Sequence, residues 1–572
     1  MARAPRDEMK QAPYSTPTVQ RTTEPTVPPV DRYTPTSTLL LGVIGVIAIL
    51  YLAVVGFGPI LSGFDTYTSF SRLDVWIAAL KAGDLNSTWT SLDANGYGSP
   101  VPFFYHKLFN LLGAASALAT GDVVVGFRFA VLIFSSIMFY GVYACAGRLG
   151  VDRTGRLVVA AACVLSPYAL DNVVARCAVA EYAAMALIPF ILAIALDFYT
   201  GKAGTRTKRH GVTLFILLLL LALAHTLIFV FATGLLLLLA LRLIVTSSAG
   251  CWSLFAATMA AAALFVVLVY VPFTYWATYF CPAQAGVFGR PVDNIVAYWT
   301  LFAPVPKSRS GWPGIALIIA LAIQLRQPKQ ARGSLAFGLG LIALALMLLM
   351  TPLSRPLWQL STQLDFVQFP WRLLALSTPI CLVALAGMIE RLSLPAKRRV
   401  QLGILVVAFV NAAGMLYLYN LHFVHIPLAQ LRHEAPSTGP GPDAAGEYFP
   451  AAFQARLLQL HAPASTVLPA RRPFLEASDC SYPDIARPAY FDTLQISATC
   501  PDRGHLRVNQ FATPFLYSIA TDDHGMNVQP LANSQIIEFA LPAGHWTVLV
   551  RTRSYMELVR MAWNTRFAKT GS

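Results

Sequence analysis

Gly63-Phe64-Asp65-Thr66-Tyr67 opens a stretch that runs through Arg72, Asp74, Asp84, Trp89 and Asp93 to Asn95-Gly96-Tyr97-Gly98-Ser99-Pro100-Val101-Pro102-Phe103-Phe104-Tyr105. It follows at once on the first strongly apolar segment, about residues 38–60, which is long enough for a membrane helix. This order predicts a helix that ends and delivers a carboxylate, Asp65, to the membrane interface within a turn. An aromatic loop punctuated by Gly and Pro comes next, and loops of this length are commonly functional. The rest of the chain is read as building a site around it.

Of the 572 residues 56% are hydrophobic and only 12% charged, with a mean hydropathy of +0.57. A soluble chain carries about 25% charged residues. Repeated apolar runs of roughly 18 residues or more mark a polytopic membrane protein. The net charge of +14 does not point to nucleic acid. Its Lys and Arg sit in short loops between apolar runs, as the positive-inside rule requires, and no basic arm is present.

The order of runs and basic loops fixes an expected topology. Residues 1–37 are rich in Pro and Thr, lack an apolar face and read as a disordered cytosolic tail. Spans are expected at about 38–60, 124–147, 157–170, 182–200, a tight hairpin over 211–245 with His225-Thr226 at its outer turn, 253–273, 312–326, 335–352, 373–391 and 401–420. Pro102–Thr120 is read as a juxtamembrane helix on the outer face. If it crossed instead, the loop carrying Arg148, Arg153 and Arg156 would fall outside and break the charge rule. The expected fold is therefore an α-helical polytopic membrane protein with about eleven transmembrane helices. Its N-terminus is cytoplasmic, its C-terminus extracytoplasmic, and its first external loop covers 62–123.

Residues 421–572 are different material. They are Pro-rich to about 475, and from about 488 they form short runs between turn residues. Leu494–Ala498, His505–Phe511, Ile536–Leu541 and Trp546–Arg551 read as strands of a small extracytoplasmic β-sandwich-like domain. Of the eight cysteines, Cys145, Cys163, Cys177, Cys251 and Cys381 lie in or beside apolar runs, and Cys281 lies in an external loop. Cys480 and Cys500 lie in the C-terminal region, where a disulfide between them is expected.

Asp65, Arg72, Arg128, Arg176, Glu181, His225 and Arg372 all fall near the outer interface on this topology. Each singly reads as well as an interfacial anchor. Together on one side of one bundle they read as a site. Asp65 is a turn residue or a partly desolvated base. Arg176 and Glu181, five apart, are a plain ion pair, or a phosphate holder with a carboxylate that orients it or binds metal. Gln368-Phe369-Pro370-Trp371-Arg372 sets an Arg one residue into a helix, and a guanidinium suits a phosphate. The expected catalytic residues are Asp65, Glu181 and His225. The expected substrate-binding residues are Arg72, Arg128, Arg176, Arg372, Tyr97 and Tyr105.

Asp65 with Arg72, Gly83, Trp89, Gly96-Tyr97-Gly98-Ser99-Pro100 and Phe103-Phe104-Tyr105 resembles the first external loop of the bacterial membrane proteins called "6-pyruvoyl-tetrahydropterin synthase-related, membrane domain". Arg176-Cys177-Ala178-Val179-Ala180-Glu181-Tyr182, Gln368–Arg372 and Glu447-Tyr448-Phe449-Pro450 resemble further motifs of that family. The resemblance runs from about 38 to about 555. No metal-type His cluster supports pterin chemistry. The family is similar in layout to the GT-C glycosyltransferases and the YfhO-type lipid-linked sugar transferases.

That resemblance implies an inverting glycosyltransferase of the bacterial inner membrane. It would use a polyprenyl-phosphate sugar donor, an envelope glycan or lipid acceptor, and Asp65 as base. The chain departs from the pattern at Ser69, where a His is expected, and at Cys177, where a Gly is expected. No cofactor is fixed, and a divalent metal stays open. The alternatives are a carrier or flippase for a lipid-linked sugar, and a non-catalytic subunit of an envelope-assembly complex.

Overall fold

The computed structural model describes residues 35–63, 65–202, 206–246, 251–280, 291–296, 311–326, 334–361, 364, 367–433, 450, 473–488, 490–532 and 534–568. The N-terminal tail, Cys281 and Glu447-Tyr448-Phe449 lie outside these. Among the described residues eight helices are long and apolar enough to cross a membrane. Two bent pairs, Arg153–Val164 with Pro167–Ala175 and Leu335–Leu348 with Pro352–Gln359, raise the number to ten if each is one span. Trp312–Leu325, expected as a span, is an apolar helix of 14 residues. Helices dominate because a chain in lipid must satisfy its backbone polar groups internally.

Two ends of the bundle can be told apart by their contacts. At one end Arg148 pairs with Asp197 at 2.8 Å, His210 lies 3.3 Å from Asp197, and Lys397 bridges Asp152 and Glu390 at 2.7 and 3.0 Å. Arg242 lies over the Tyr199 ring at 5.4 Å. The basic loops that the charge rule placed together thus meet at one end. Arg242 and His210 both lie there, so Thr207–Ala224 and Thr226–Val245 run antiparallel, with the extended His225 as their turn at the other end.

At that other end the first and last long helices are tied. Pro35–Phe57 leads into Ile60–Leu61, which pairs antiparallel with His425–Ile426 just after Leu394–His422. Tyr51 pins the little-buried first helix to the bundle through Ser135 at 2.8 Å and Tyr182 at 3.3 Å. Gly63 is required here, because a Cβ would strike the Ala175 carbonyl. Leu108–Thr120 runs back along the start of Val123–Arg148, with the Phe109 and Phe134 rings 5.8 Å apart.

The C-terminal region forms two antiparallel sheets on a shared apolar core. Leu475–Ser478, Gly504–Phe511 and Ile536–Leu541 make one; Thr493–Cys500, Gly544–Thr552, Leu516–Asp522 and Asn527–Val528 make the other. A helix, Tyr555–Ala568, follows the last strand. Cys480 and Cys500 are disulfide-bonded, with Cα atoms 4.1 Å apart.

The 86–105 loop joins this region to the bundle. Trp89, Tyr97, Phe103 and Phe104 are buried in one cluster with Phe511, Phe515 and Trp276. Gln510, fully buried, accepts from Trp89 Nε1 at 2.9 Å and donates to the Gly96 carbonyl at 2.8 Å. Gly98 (φ +85°) must lack a side chain where it passes Gln510 and Trp89. Asp93 is buried and accepts from Ser99 Oγ at 2.6 Å, closing the loop on itself. Gln510→Leu should cost about 2–3 kcal/mol by stranding buried polar groups. Thermal unfolding should show it, together with earlier protease cleavage in the loop; an unchanged melting temperature contradicts this coupling.

Candidate functional site

Glu181 enters the bundle in the first turn of Val179–Tyr199 and is buried. A carboxylate is costly there unless paired and hydrogen-bonded. Its Oε1 accepts from Arg372 Nε at 2.9 Å and from an Arg176 guanidinium nitrogen at 3.1 Å. Its Oε2 accepts from Arg176 at 3.0 Å and from the Tyr168 hydroxyl at 2.6 Å. Arg176 also donates to Asn172 Oδ1 at 2.8 Å. One carboxylate is thus held between two guanidiniums. Both keep part of their surface open, with side-chain exposures of 18% and 23% against 4% for Glu181.

The backbone that brings Arg176 here is unusual. Asp171–Ala175 is a π-helical turn, and Cys177 follows in the left-handed region at φ +54°. That conformation favours Gly, which accounts for the resemblance's expectation of Gly at this position. Gln368, ahead of Arg372, is also left-handed, at φ +52°. The chain therefore departs from regular helix close to each of the two guanidiniums, around Arg176 and ahead of Arg372.

Asp65 joins through the backbone: its N–H donates to the Arg176 carbonyl at 2.9 Å. It precedes the helix Thr66–Lys81, yet its side chain caps no N–H of that helix. Burial pushes its carboxyl above the usual range, opposed by the charges of Arg72 and Arg176. Arg72, from the same helix, lies over the Tyr105 ring at 3.3 Å. Burial raises the Tyr105 hydroxyl, again against Arg72.

His225 Nε2 lies 3.9 Å from Glu181 Oε1. Its ring stacks on His106 with centroids 4.2 Å apart. His106 is held well below the ordinary histidine range by burial, so it is neutral. Its Nδ1 faces the Thr226 N–H at 3.4 Å, which places the ring proton on Nε2. His106 was not among the expected site residues. The signal available in sequence was its polar character at the head of an apolar helix.

Asp65, Arg72, Tyr105, Arg176, Glu181, His225 and Arg372 are therefore brought to one end of the bundle. Two expected members are elsewhere. Arg128 donates to the Gly56 and Gly58 carbonyls, both at 2.6 Å, at the end of the first helix. Tyr97 is buried against Phe511, ring centroids 5.9 Å apart, in the joint with the sheets. The 94–105 loop packs into that joint, and of the expected site residues it carries Tyr105 alone reaches Arg72. Among the described residues no three His, Cys, Asp or Glu side chains converge as a metal-ligand set.

No family model matches the chain, and no curated protein matches it. Solved structures do show a likeness. The mycobacterial arabinofuranosyltransferase AftD is 18% identical over 68% of this chain and 28% of its own length, with a TM-score of 0.42. ArnT from Cupriavidus metallidurans in the apo state is 16% identical over 70% of this chain and 68% of its own, with a TM-score of 0.43. The same protein bound to undecaprenyl phosphate gives 17%, 75%, 73% and 0.45. This chain thus spans little more than a quarter of AftD.

Glu181→Gln should strand two guanidiniums, whereas Arg372→Gln removes one partner and leaves Glu181 paired with Arg176. The first should cost about 3–5 kcal/mol and the second clearly less. Thermal unfolding in detergent reads both, and equal losses would contradict Glu181 as the hub.

Proposed function

We propose that this end of the bundle transfers a glycosyl group from a polyprenyl-phosphate sugar to an acceptor hydroxyl. The observation that carries the reading is the pair of guanidiniums fixed on Glu181 beside an uncapped, partly buried carboxylate, Asp65. Arg176 and Arg372 are planar donors suited to phosphate oxygens. Glu181 positions them and, with both oxygens engaged, is not free to take a proton. This revises the catalytic role expected of Glu181 to a positioning one.

Asp65 takes the proton from the acceptor hydroxyl as that oxygen attacks the anomeric carbon. The bond from carbon to the phosphate oxygen breaks, and the electron pair leaves with polyprenyl phosphate. The departing charge falls against Arg176 and Arg372, which need not reorganise to receive it. Attack opposite the leaving group inverts the anomeric centre. A phosphate needs no proton to leave, so one carboxylate suffices. His225 and the neutral His106 flank the pair and offer hydrogen bonds to an uncharged sugar.

The basic loops at the far end support a cytosolic assignment for that end. The site and the sheets then lie outside, in the extracytoplasmic space of a bacterial inner membrane. Protease added to intact spheroplasts should cleave the sheet region, and cleavage only after membrane rupture would reverse this orientation.

Asp65→Asn should lower transfer of radiolabelled sugar by about 10²–10⁴-fold while undecaprenyl phosphate binding is kept. Arg372→Gln should weaken that binding. Because burial raises the Asp65 carboxyl, its basic form is lost as pH falls through a value above the ordinary carboxylate range of about 4. The acid limb of the transfer profile should therefore lie above that range and vanish in Asp65→Asn. Near-normal transfer by Asp65→Asn would remove it as the base.

A further inference from the structure

Cys251–Trp276, one of the helices long and apolar enough to cross a membrane, carries a break that the helix Tyr555–Ala568 mends. Pro272 has no N–H, so position 272 offers no ladder donor to the carbonyls of Leu268 and Val267, four and five residues before it. The Val271 N–H, the other donor in reach of Val267, goes to the Val266 carbonyl in the π-helical turn Val266–Tyr270. Both carbonyls are met from outside the helix. The Tyr555 hydroxyl donates to Leu268 at 2.7 Å, and Trp563 Nε1 donates to Val267 at 3.0 Å. A backbone carbonyl at membrane depth needs such a donor, because no water is there to supply one.

Those carbonyls fix the level at which Tyr555–Ala568 lies. At about 1.5 Å per residue, Val267 is about 24 Å along the helix from Cys251, within a hydrocarbon layer about 30 Å thick. Trp276, buried in the joint with the sheets, is about 14 Å further on. Val266, Val267 and Tyr270 are exposed at the same level. Tyr555–Ala568 thus crosses the outer flank of Cys251–Trp276 at the edge of the apolar layer. Its two faces suit that place. Leu558, Val559 and Ala562 are buried, and the Leu558 carbonyl accepts from Trp276 Nε1 at 3.0 Å. Met556 and Arg560, one turn apart, are exposed on the other side. The helix is net basic: Arg560 and Arg566 stand against Glu557, which pairs with Arg551 at 2.9 Å. Met, Trp and long basic side chains suit the boundary between acyl chains and phosphates.

We infer that Tyr555–Ala568 is a membrane-surface helix whose exposed face docks on the lipid leaflet of the sheet side. Met556 meets the acyl chains nearest the headgroups, and the Arg560 guanidinium lies among the headgroup phosphates. The seating passes to the first loop, because the Tyr555 ring packs on Phe103 at 4.9 Å and lies under Lys107 Nζ at 4.3 Å. The inference does not rest on glycosyl transfer and stands if that reading fails.

Nitroxide labels at Met556→Cys and Arg560→Cys test it. Each is placed singly in the full-length protein, in a Cys281→Ser background and in phosphatidylglycerol nanodiscs. A label at His524→Cys, in the exposed turn after Leu516–Asp522, serves as the aqueous reference. Power saturation reads access to oxygen, which favours lipid, against a nickel chelate, which favours water. The ratio of oxygen to nickel access should be raised over the reference at both positions. Both are exposed, so neither label need disturb folding. A ratio equal to the reference at either position would overturn the assignment. So would labels that neither reagent reaches, which would mean that protein covers this face.

Discussion

Glu181 carries its negative charge into the bundle among apolar neighbours, and what sits at that end follows from how the charge is met. A buried carboxylate needs partners that stay in place, and removing one is far costlier than weakening a surface pair. Arg176 reaches it only because a π-helical turn and a left-handed Cys177 re-aim the chain. Arg372 reaches it from a segment almost two hundred residues away. The Tyr168 hydroxyl supplies the fourth contact. The guanidiniums are thereby fixed before any ligand arrives, so binding an anion need not order them.

The sheet region supports the same end from outside. Gln510 grips the loop at Trp89 and Gly96, and the loop continues into Tyr105 and His106 beside Arg72 and His225. The helix Tyr555–Ala568 adds a second fastening. Tyr555 and Trp563 donate to the Leu268 and Val267 carbonyls, which a π-helical turn in Cys251–Trp276 releases from the regular ladder. The first loop is therefore held between two bodies, and its aromatic content serves that joint.

Much of this was legible in the chain, for physical reasons. Long apolar runs admit little but helices, and basic loops sort to one side, so Arg148, Lys397 and Arg242 meet at the end where charge placed them. Asp65, Arg176, His225 and Arg372 each begin or end a helix on the opposite side, which suffices to bring them together. What could not be read depended on partners distant in sequence. Arg128 looks the same whether it awaits a phosphate or caps helix carbonyls. Tyr97 in a Gly-rich loop looks the same as a lip residue or as a joint residue. The burial of Asp93, the stacking of His106, and the strand Leu516–Asp522 with the helix Tyr555–Ala568 all depend on contacts that no local pattern announces.

We propose that the Asp65–Glu181–Arg372 end receives a lipid phosphate bearing a sugar. Photo-crosslinking with a diazirine-bearing polyprenyl phosphate, followed by peptide mapping, tests it most directly. Labelling is expected in 65–72, 105–110, 172–181, 225–229 and 368–372, suppressed by excess unmodified polyprenyl phosphate. Competable labelling confined to the opposite end, around 148–156 and 390–401, would contradict it.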